Sequence, residues 1–282
     1  MVKNPMNFLH DLRDRQRINI ALAKGVAGRQ CRSVDLKRPA TWEFSGFSQN
    51  GEDGVLEVLR HQMKAENRYF LEIGAADGIE NNTAWLAVAE KYAGVMIEGS
   101  PRLVERAMRS VARLNIAIEC RNAFVTLENV QDLVSAVIHR DPDVLSLDID
   151  GNDYHIAQAL IAHGLRPKII VVEYNSAFGA DKRMTIEYQP QFAFSRAHPT
   201  QLYYGVSIAA WRQLLGSLDY RFATVERNGV NAFFVDPAFF DAGFLDGIVG
   251  LPFAENAYQL RKFRRPNEKQ FELIKDQRFL YI

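Results

Sequence analysis

Residues 69–78 read Tyr69-Phe70-Leu71-Glu72-Ile73-Gly74-Ala75-Ala76-Asp77-Gly78. An apolar run carrying one acid opens into small residues. A buried parallel strand gives way in this manner to a tight turn that holds a nucleotide-like ligand. The turn does not read G-x-G-x-x-G, so the usual dinucleotide fingerprint is absent. It reads Glu72-x-Gly74-x-x-x-Gly78.

Outward from this stretch the chain alternates strand and helix, the mark of a parallel sheet covered on both faces. Strands are predicted over Tyr69–Ile73, Gly94–Ile97, Asn115–Glu119, Val144–Asp148 and Lys168–Glu173. Helices are predicted over Ala84–Lys91, from Ser100-Pro101 with serine as cap, over Val130–Ile138, and from Asn152 to His163 before Gly164. Upstream, Asn7–Ala23 reads as a helix with Phe8, Leu9 and Leu12 in one apolar group and Ile18 and Leu22 in another. A second helix is predicted from Asn50 with Asp53 as capping partner. Downstream, Asn175–Tyr204 has no clear period and many aromatics; a loop this long usually carries function. A helix over Ser207–Leu218 follows. Two β-like runs, Tyr220–Val225 and Val230–Val235, then flank Asn228-Gly229, a hairpin signal.

Composition narrows the class. At 282 residues and 48% apolar, the chain suits one large α/β domain or two small ones. No apolar run approaches the ~20 residues of a membrane span. Met1–Leu12 lacks the apolar core of a secretory signal. Two cysteines, Cys31 and Cys120, make no disulfide framework, so a cytoplasmic location is expected. The balanced net charge hides an asymmetry. Up to Trp42 there are nine Lys or Arg, from Lys3 to Arg38, against Asp11, Asp14 and Asp35, a local +6. That arm either meets an anionic substrate or partner or is a solvated helix face. No aromatic-and-basic motif favours nucleic acid. Oligomeric state, a homo-oligomer included, is left open.

The turn Glu72-x-Gly74-x-x-x-Gly78 resembles the first motif of S-adenosylmethionine (SAM)-dependent methyltransferases. On that resemblance, Gly74 and Gly78 let the backbone approach the methionine part of SAM, and Glu72 and Asp77 pair with its ammonium or shape the turn. Glu98 ends strand two, 20 residues after Gly78, where an acid accepts the ribose hydroxyls. Asn122-Ala123 falls where methyltransferases bind the adenine amino group, and Asp148 and Asp150 end strand four. Each residue also has a plainer reading: a tight turn for the glycines, a cap at Ser100 for Glu98. Agreement at four strand ends favours the cofactor.

A wider set of motifs carries a more specific resemblance. Phe47–Gly54, Leu71–Gly78, Glu98, Leu147–Tyr154, Val172–Asn175 and Gly229–Val235 together look like FkbM-type methyltransferases, over about Phe44 to Asp236. The resemblance implies an α/β, Rossmann-like, seven-stranded class I SAM-methyltransferase fold. Its sheet would be mostly parallel with a C-terminal antiparallel hairpin, here preceded by an N-terminal helical extension. Segments 1–43, 44–250 and 251–282 would be the basic extension, the methyltransferase domain and a C-terminal tail packed on it. In that tail Arg261, Lys262, Arg264 and Arg265 are expected on a solvated face. The family largely methylates hydroxyls of sugars and natural products. It implies that Gln49 lies near the methionine end of SAM, the alternative being a residue entering the helix with Ser48 or Asn50 as cap.

Methyl transfer needs an aligned nucleophile, and a hydroxyl must lose its proton or meet a metal. Asp150, Glu173 and Asn175 are candidate ligands for a hard cation such as Mg²⁺, with Asp148 an alternative to Asp150. The set is similar to that of metal-dependent macrolide-sugar O-methyltransferases, although Tyr174 stands where their second strand-five acid lies. Otherwise Asp150 binds SAM or caps the following helix and Glu173 meets substrate. His198 in the long loop and His155 after strand four are candidate bases, against a loop residue and an indirect hydrogen bond. Phe178, Tyr188, Phe192, Phe194, Tyr203 and Tyr204 either floor a sugar or form local core. Lys182, Arg183 and Arg196 either hold a substrate anion or are solvated. The function expected is O-methylation of a sugar, polysaccharide precursor or natural product. The alternatives are N- or phosphate-O-methylation of a small metabolite, and a non-catalytic SAM-fold binding protein.

Overall fold

Residues with both faces buried form the sheet, and residues with one buried stripe form the helices around it. The computed structural model describes residues 5–282, with side chains from Asp11 onward. Lys3 and the side chains of Phe8, Leu9 and His10 lie outside the described residues. Strands are β1 (Tyr69–Ile73), β2 (Ala93–Glu98), β3 (Ile118–Asn122), β4 (Val144–Leu147), β5 (Ile169–Glu173), β6 (Met184–Ile186), β7 (Arg221–Val225), β8 (Asn231–Val235) and β9 (Phe279–Tyr281). Helices before the middle of the chain are α1 (Pro5–Cys31), α2 (Glu52–Gln62), α3 (Ala84–Val88), α4 (Pro101–Arg109), α5 (Val111–Leu114) and α6 (Val130–Ser135). Then follow α7 (Asp153–Ala162), α8 (Phe194–Ala197), α9 (Ile208–Ser217), α10 (Ala242–Gly247), α11 (Ala257–Phe263) and α12 (Asn267–Phe271).

The main sheet has the order β3-β2-β1-β4-β5-β8-β7. Strands β1 to β5 pair in parallel, whereas β8 runs antiparallel to β5 and to β7. Side chains alternate across it. Leu71, Ile73, Val95 and Ile97 feed one core layer, and Phe70, Met96, Val144 and Phe233 the other. The hairpin forms around Asn228-Gly229 as expected, with Gly229 at φ +71 and a bulge between Phe222 and Thr224. This strand order is that of the Rossmann-like class I SAM-methyltransferase fold.

Several local expectations need correction. Strand three lies at Ile118–Asn122, three residues beyond the predicted run, because Asn115 turns inward to donate to Ala87 O and Tyr92 O. Ser100 occupies the cap position of α4, but its hydroxyl makes no capping bond. Helix α2 starts at Glu52, not Asn50. Asp53 instead accepts from the N–H groups of Gly46, Phe47 and Ser48, bracing the loop before the helix. The basic extension is a 27-residue helix, longer than predicted. Its stripe of Asp14, Ile18, Ala21 and Gly25 is buried. Gly25 meets the indole of Trp85, where a Cβ would come within 2.2 Å. Its charge is partly consumed inside the molecule: Arg17 pairs with Asp77, and Arg29 and Arg32 with buried Glu57.

The aperiodic stretch after β5 contains β6, which pairs antiparallel with β9 at the chain's end. This small sheet covers a third core cluster that includes Phe178, Phe192, Tyr203, Tyr204 and Ile274. Among the described residues, no helix is long and apolar enough to cross a membrane.

Candidate functional site

Strand β1 connects to β2 on one side of the sheet while β4 lies on its other side, so the crevice outside their carboxyl ends is the topological switch point. A cavity of about 530 Å³ opens there. Its floor is the turn Glu72–Ala76; Ile97–Gly99, Ala123–Val125 and Asp148–Asp150 supply its walls. Gly74 is obligatory at this turn. It has φ +91, and a Cβ would lie 1.6 Å from the carbonyl oxygen of Asp148. Glu98 ends β2 half-buried and accepts from Ala76 N at 3.0 Å and Ser100 N at 2.8 Å. It therefore does brace the turn before α4, yet each oxygen keeps a lone pair for the cavity.

The candidate cofactor residues divide. Gln49, Glu72, Gly74, Glu98, Ala123 and Asp148 line the cavity. Asp77, Gly78 and Asn122 do not. Asp77 is buried away from the cavity between Arg17 and Arg106; burial acts to raise its carboxyl, but the two guanidinium groups and the backbone N–H of Ile79 hold it below the usual range. Asn122 donates to Glu98 O and Gly99 O, so its amide is spent on the loop. Glu72 is buried and accepts from Ser146 Oγ and from the backbone N–H of Asn82 and Thr83. Burial pushes its carboxyl up to about 7.

Three acids meet at the far wall. Carboxylate oxygens of Asp148, Asp150 and Glu173 all lie within 4.8 Å of one another. Burial, then the charge of its neighbours Asp150 and Asp153, raises the Asp148 carboxyl well above the usual range. Glu173 is raised the same way, by burial and then by Asp148 and Asp150. Asp150 is raised by burial and then by Glu98, although it opens to solvent at the cavity mouth. It also has φ +53, a backbone state costly for a non-glycine residue. The following helix holds this loop: Asp153 accepts from Ile149 N and Gly151 N.

Asn175, expected as a third ligand, is not in this group. Its side chain is fully buried, donates to Leu202 O and Tyr204 O, and accepts from Ala177 N, so it ties down the loop instead. Asp148 takes its place in the cluster. Both candidate bases also lie elsewhere. The His155 ring sits 3.0 Å from Ile186 O between Tyr154 and Tyr188. His198 Nδ1 is 2.7 Å from Thr200 Oγ1. Neither lines the cavity.

A second cavity of about 490 Å³ shares Gln49, Asp150, Glu173 and Val230 with the first. Of the loop aromatics, Phe194 and Tyr204 face this second cavity and Phe192 the first. Phe178 and Tyr203 are core, and Tyr188 donates to Glu128. Lys182, Arg183 and Arg196 are exposed and line neither cavity. Sequence reasoning passed over Glu52 and Asn82, which line the first cavity; Arg261 and Lys262, expected on a solvated face, are exposed and also line the second. Nothing local marks them: each arrives from a distant element.

No family model matches the chain, and no curated protein is similar to it. Among solved structures, an O-methyltransferase from Bacillus cereus in complex with S-adenosylhomocysteine (SAH) is 17% identical over 78% of this chain and 89% of that one, with a TM-score of 0.43. Fibrillarin from Aeropyrum pernix with natively bound S-adenosyl-L-methionine is 13% identical over 60% and 67%, with a TM-score of 0.40. A SAM-dependent methyltransferase from Aquifex aeolicus is 12% identical over 66% and 89%, also at 0.40. Likeness this distant says nothing about activity.

Proposed function

We propose that the protein is a SAM-dependent methyltransferase acting on a hydroxyl of a sugar-like or natural-product acceptor. One observation carries the reading: a switch-point cavity with a glycine-floored turn meets a second cavity at a shared wall of acids. The first fits SAM. The turn at Gly74 lets the cofactor approach the backbone, and Glu98 stands ready for vicinal hydroxyls. Bound there, SAM supplies a methyl group made electrophilic by its sulfonium. The shared wall is where an acceptor oxygen approaches it.

Asp150 borders both cavities, so its carboxylate is placed to accept the hydroxyl proton. A carboxyl raised above its ordinary range is a better base than a free one. Asp148, Asp150 and Glu173 also form an all-oxygen set suited to Mg²⁺ or a similar hard cation. Such an ion would offset the mutual repulsion of the three acids and would supply Lewis-acid chemistry at the shared wall. SAM and SAH should each bind the protein in calorimetry with 1:1 stoichiometry. Failure of both to bind removes the enzyme reading and leaves a scaffold. Asp150→Asn should cut turnover by about 10²-fold or more while SAH affinity holds. Unchanged turnover would exclude Asp150 as base.

A further inference from the structure

The second cavity has chemistry that neither the cofactor nor proton removal uses. Its acids stand at the ends of β4 and β5; its other walls come from the long loop and from α11. Arg261 and Lys262 on α11 both line it. Among the described residues neither has an ion-pair partner: Lys262 Nζ donates to the neutral Gln201 Oε1 at 3.2 Å, and the Arg261 guanidinium lies 5.8 Å from the centre of the Tyr258 ring. Most arginines of the N-terminal extension, by contrast, are engaged by acids. The lining also includes two aromatic rings, Phe194 packed edge-on against Tyr204 at 5.1 Å, and the amides Asn50, Asn228 and Gln259, which are hydrogen-bonded within the protein.

We propose that this cavity selects an acceptor that is both hydroxylated and anionic: its phosphate or carboxylate is held by Arg261 and Lys262, and its reacting hydroxyl is presented at Asp150. Each wall contributes one part of that preference. Two cations without protein counter-charges recognise an anion. Ring faces cover the apolar edges of a polyol. Asp150 and Glu173 in the same lining repel the anionic end, so the acceptor enters in one orientation.

The inference rests on the methyltransferase reading for the role of the hydroxyl, but the anion preference is testable without it. Matched probes are glucose, glucose 1-phosphate, glucuronate and UDP-glucose. They should be titrated against SAH-loaded and SAH-free protein by ligand-observed NMR, and offered with SAM in an assay of SAH release. Binding should be confined to the charged members, the phosphates and the carboxylate telling which anion is preferred. Arg261→Gln/Lys262→Gln should weaken it by about 10-fold or more, the size expected for loss of charge-assisted hydrogen bonds, with SAH affinity and melting temperature unchanged. If one of the probes is methylated, the loss should fall on KM and spare kcat. Equal binding of glucose, indifference to the double substitution, or silence from every probe while SAH binds would each overturn the proposal. A protein that binds a charged probe but not SAH keeps the anion pocket and loses the methyltransferase reading.

Discussion

Glu72 sits near the end of β1, before the glycine turn, buried and without a cation among its hydrogen-bond partners. Its carboxyl is pushed from 4.5 up to about 7 by burial. The folded chain then holds a proton that the unfolded chain releases, so the associated stability is complete below pH 4.5 and lost as pH rises towards 7. Asp53 and Glu226, both also raised to about 7 by burial, act with the same sign. Ligand-free protein should therefore melt at higher temperature near pH 5 than near pH 7.5, and Glu72→Gln should flatten that slope. A melting temperature that climbs across the window would contradict the assignment. That Glu98, Asp148 and Glu173 stand at strand ends is legible from their place after apolar runs. That Asn175, just past β5, and His155, in the first turn of α7, point away is not, because each side-chain direction depends on which distant backbone carbonyl lies within reach.

At the scale of elements, α1 shows how a helix with a poor apolar stripe can still dock. Its contact face is built on small residues, Ala21 and Gly25, that admit the large ring of Trp85. Alanine in place of glycine in a helix interior is ordinarily stabilising by about 1 kcal/mol. Gly25→Ala should do the reverse and cost about 1–3 kcal/mol, since the new methyl meets a buried ring. Urea denaturation monitored by tryptophan fluorescence reads the sign directly; stabilisation would mean that α1 does not pack on Trp85. The run of basic residues that marks this helix in the sequence looked either solvated or destined for a partner. Folding supplies a third outcome, because Glu57 and Asp77 come from segments 28 and 60 residues away.

At the scale of the whole molecule, the second cavity, the proposed acceptor side, depends on the chain's end returning to its middle. Phe279 of β9 packs against Phe178 at 5.5 Å and Tyr203 at 5.3 Å, beneath the loop that carries Phe194 and Tyr204. Phe279→Ala should loosen that loop, raising amide exchange over 184–206 and weakening binding of UDP-glucose, with SAH affinity nearly intact. Parallel loss of SAH affinity would mean that the two cavities are not separately supported. The parallel sheet, its antiparallel ending and the glycine turn at Gly74 were determined by sequence alone. They rest on periodicity, on glycine's freedom at positive φ and on the Asn228-Gly229 turn signal, all properties of neighbours along the chain. The pairing of β6 with β9, the company kept by Asp148, Asp150 and Glu173, and the placing of Arg261 and Lys262 in a cavity were decided only by tertiary structure. Each joins residues from separate segments, and no local pattern encodes which distant surfaces fold against one another.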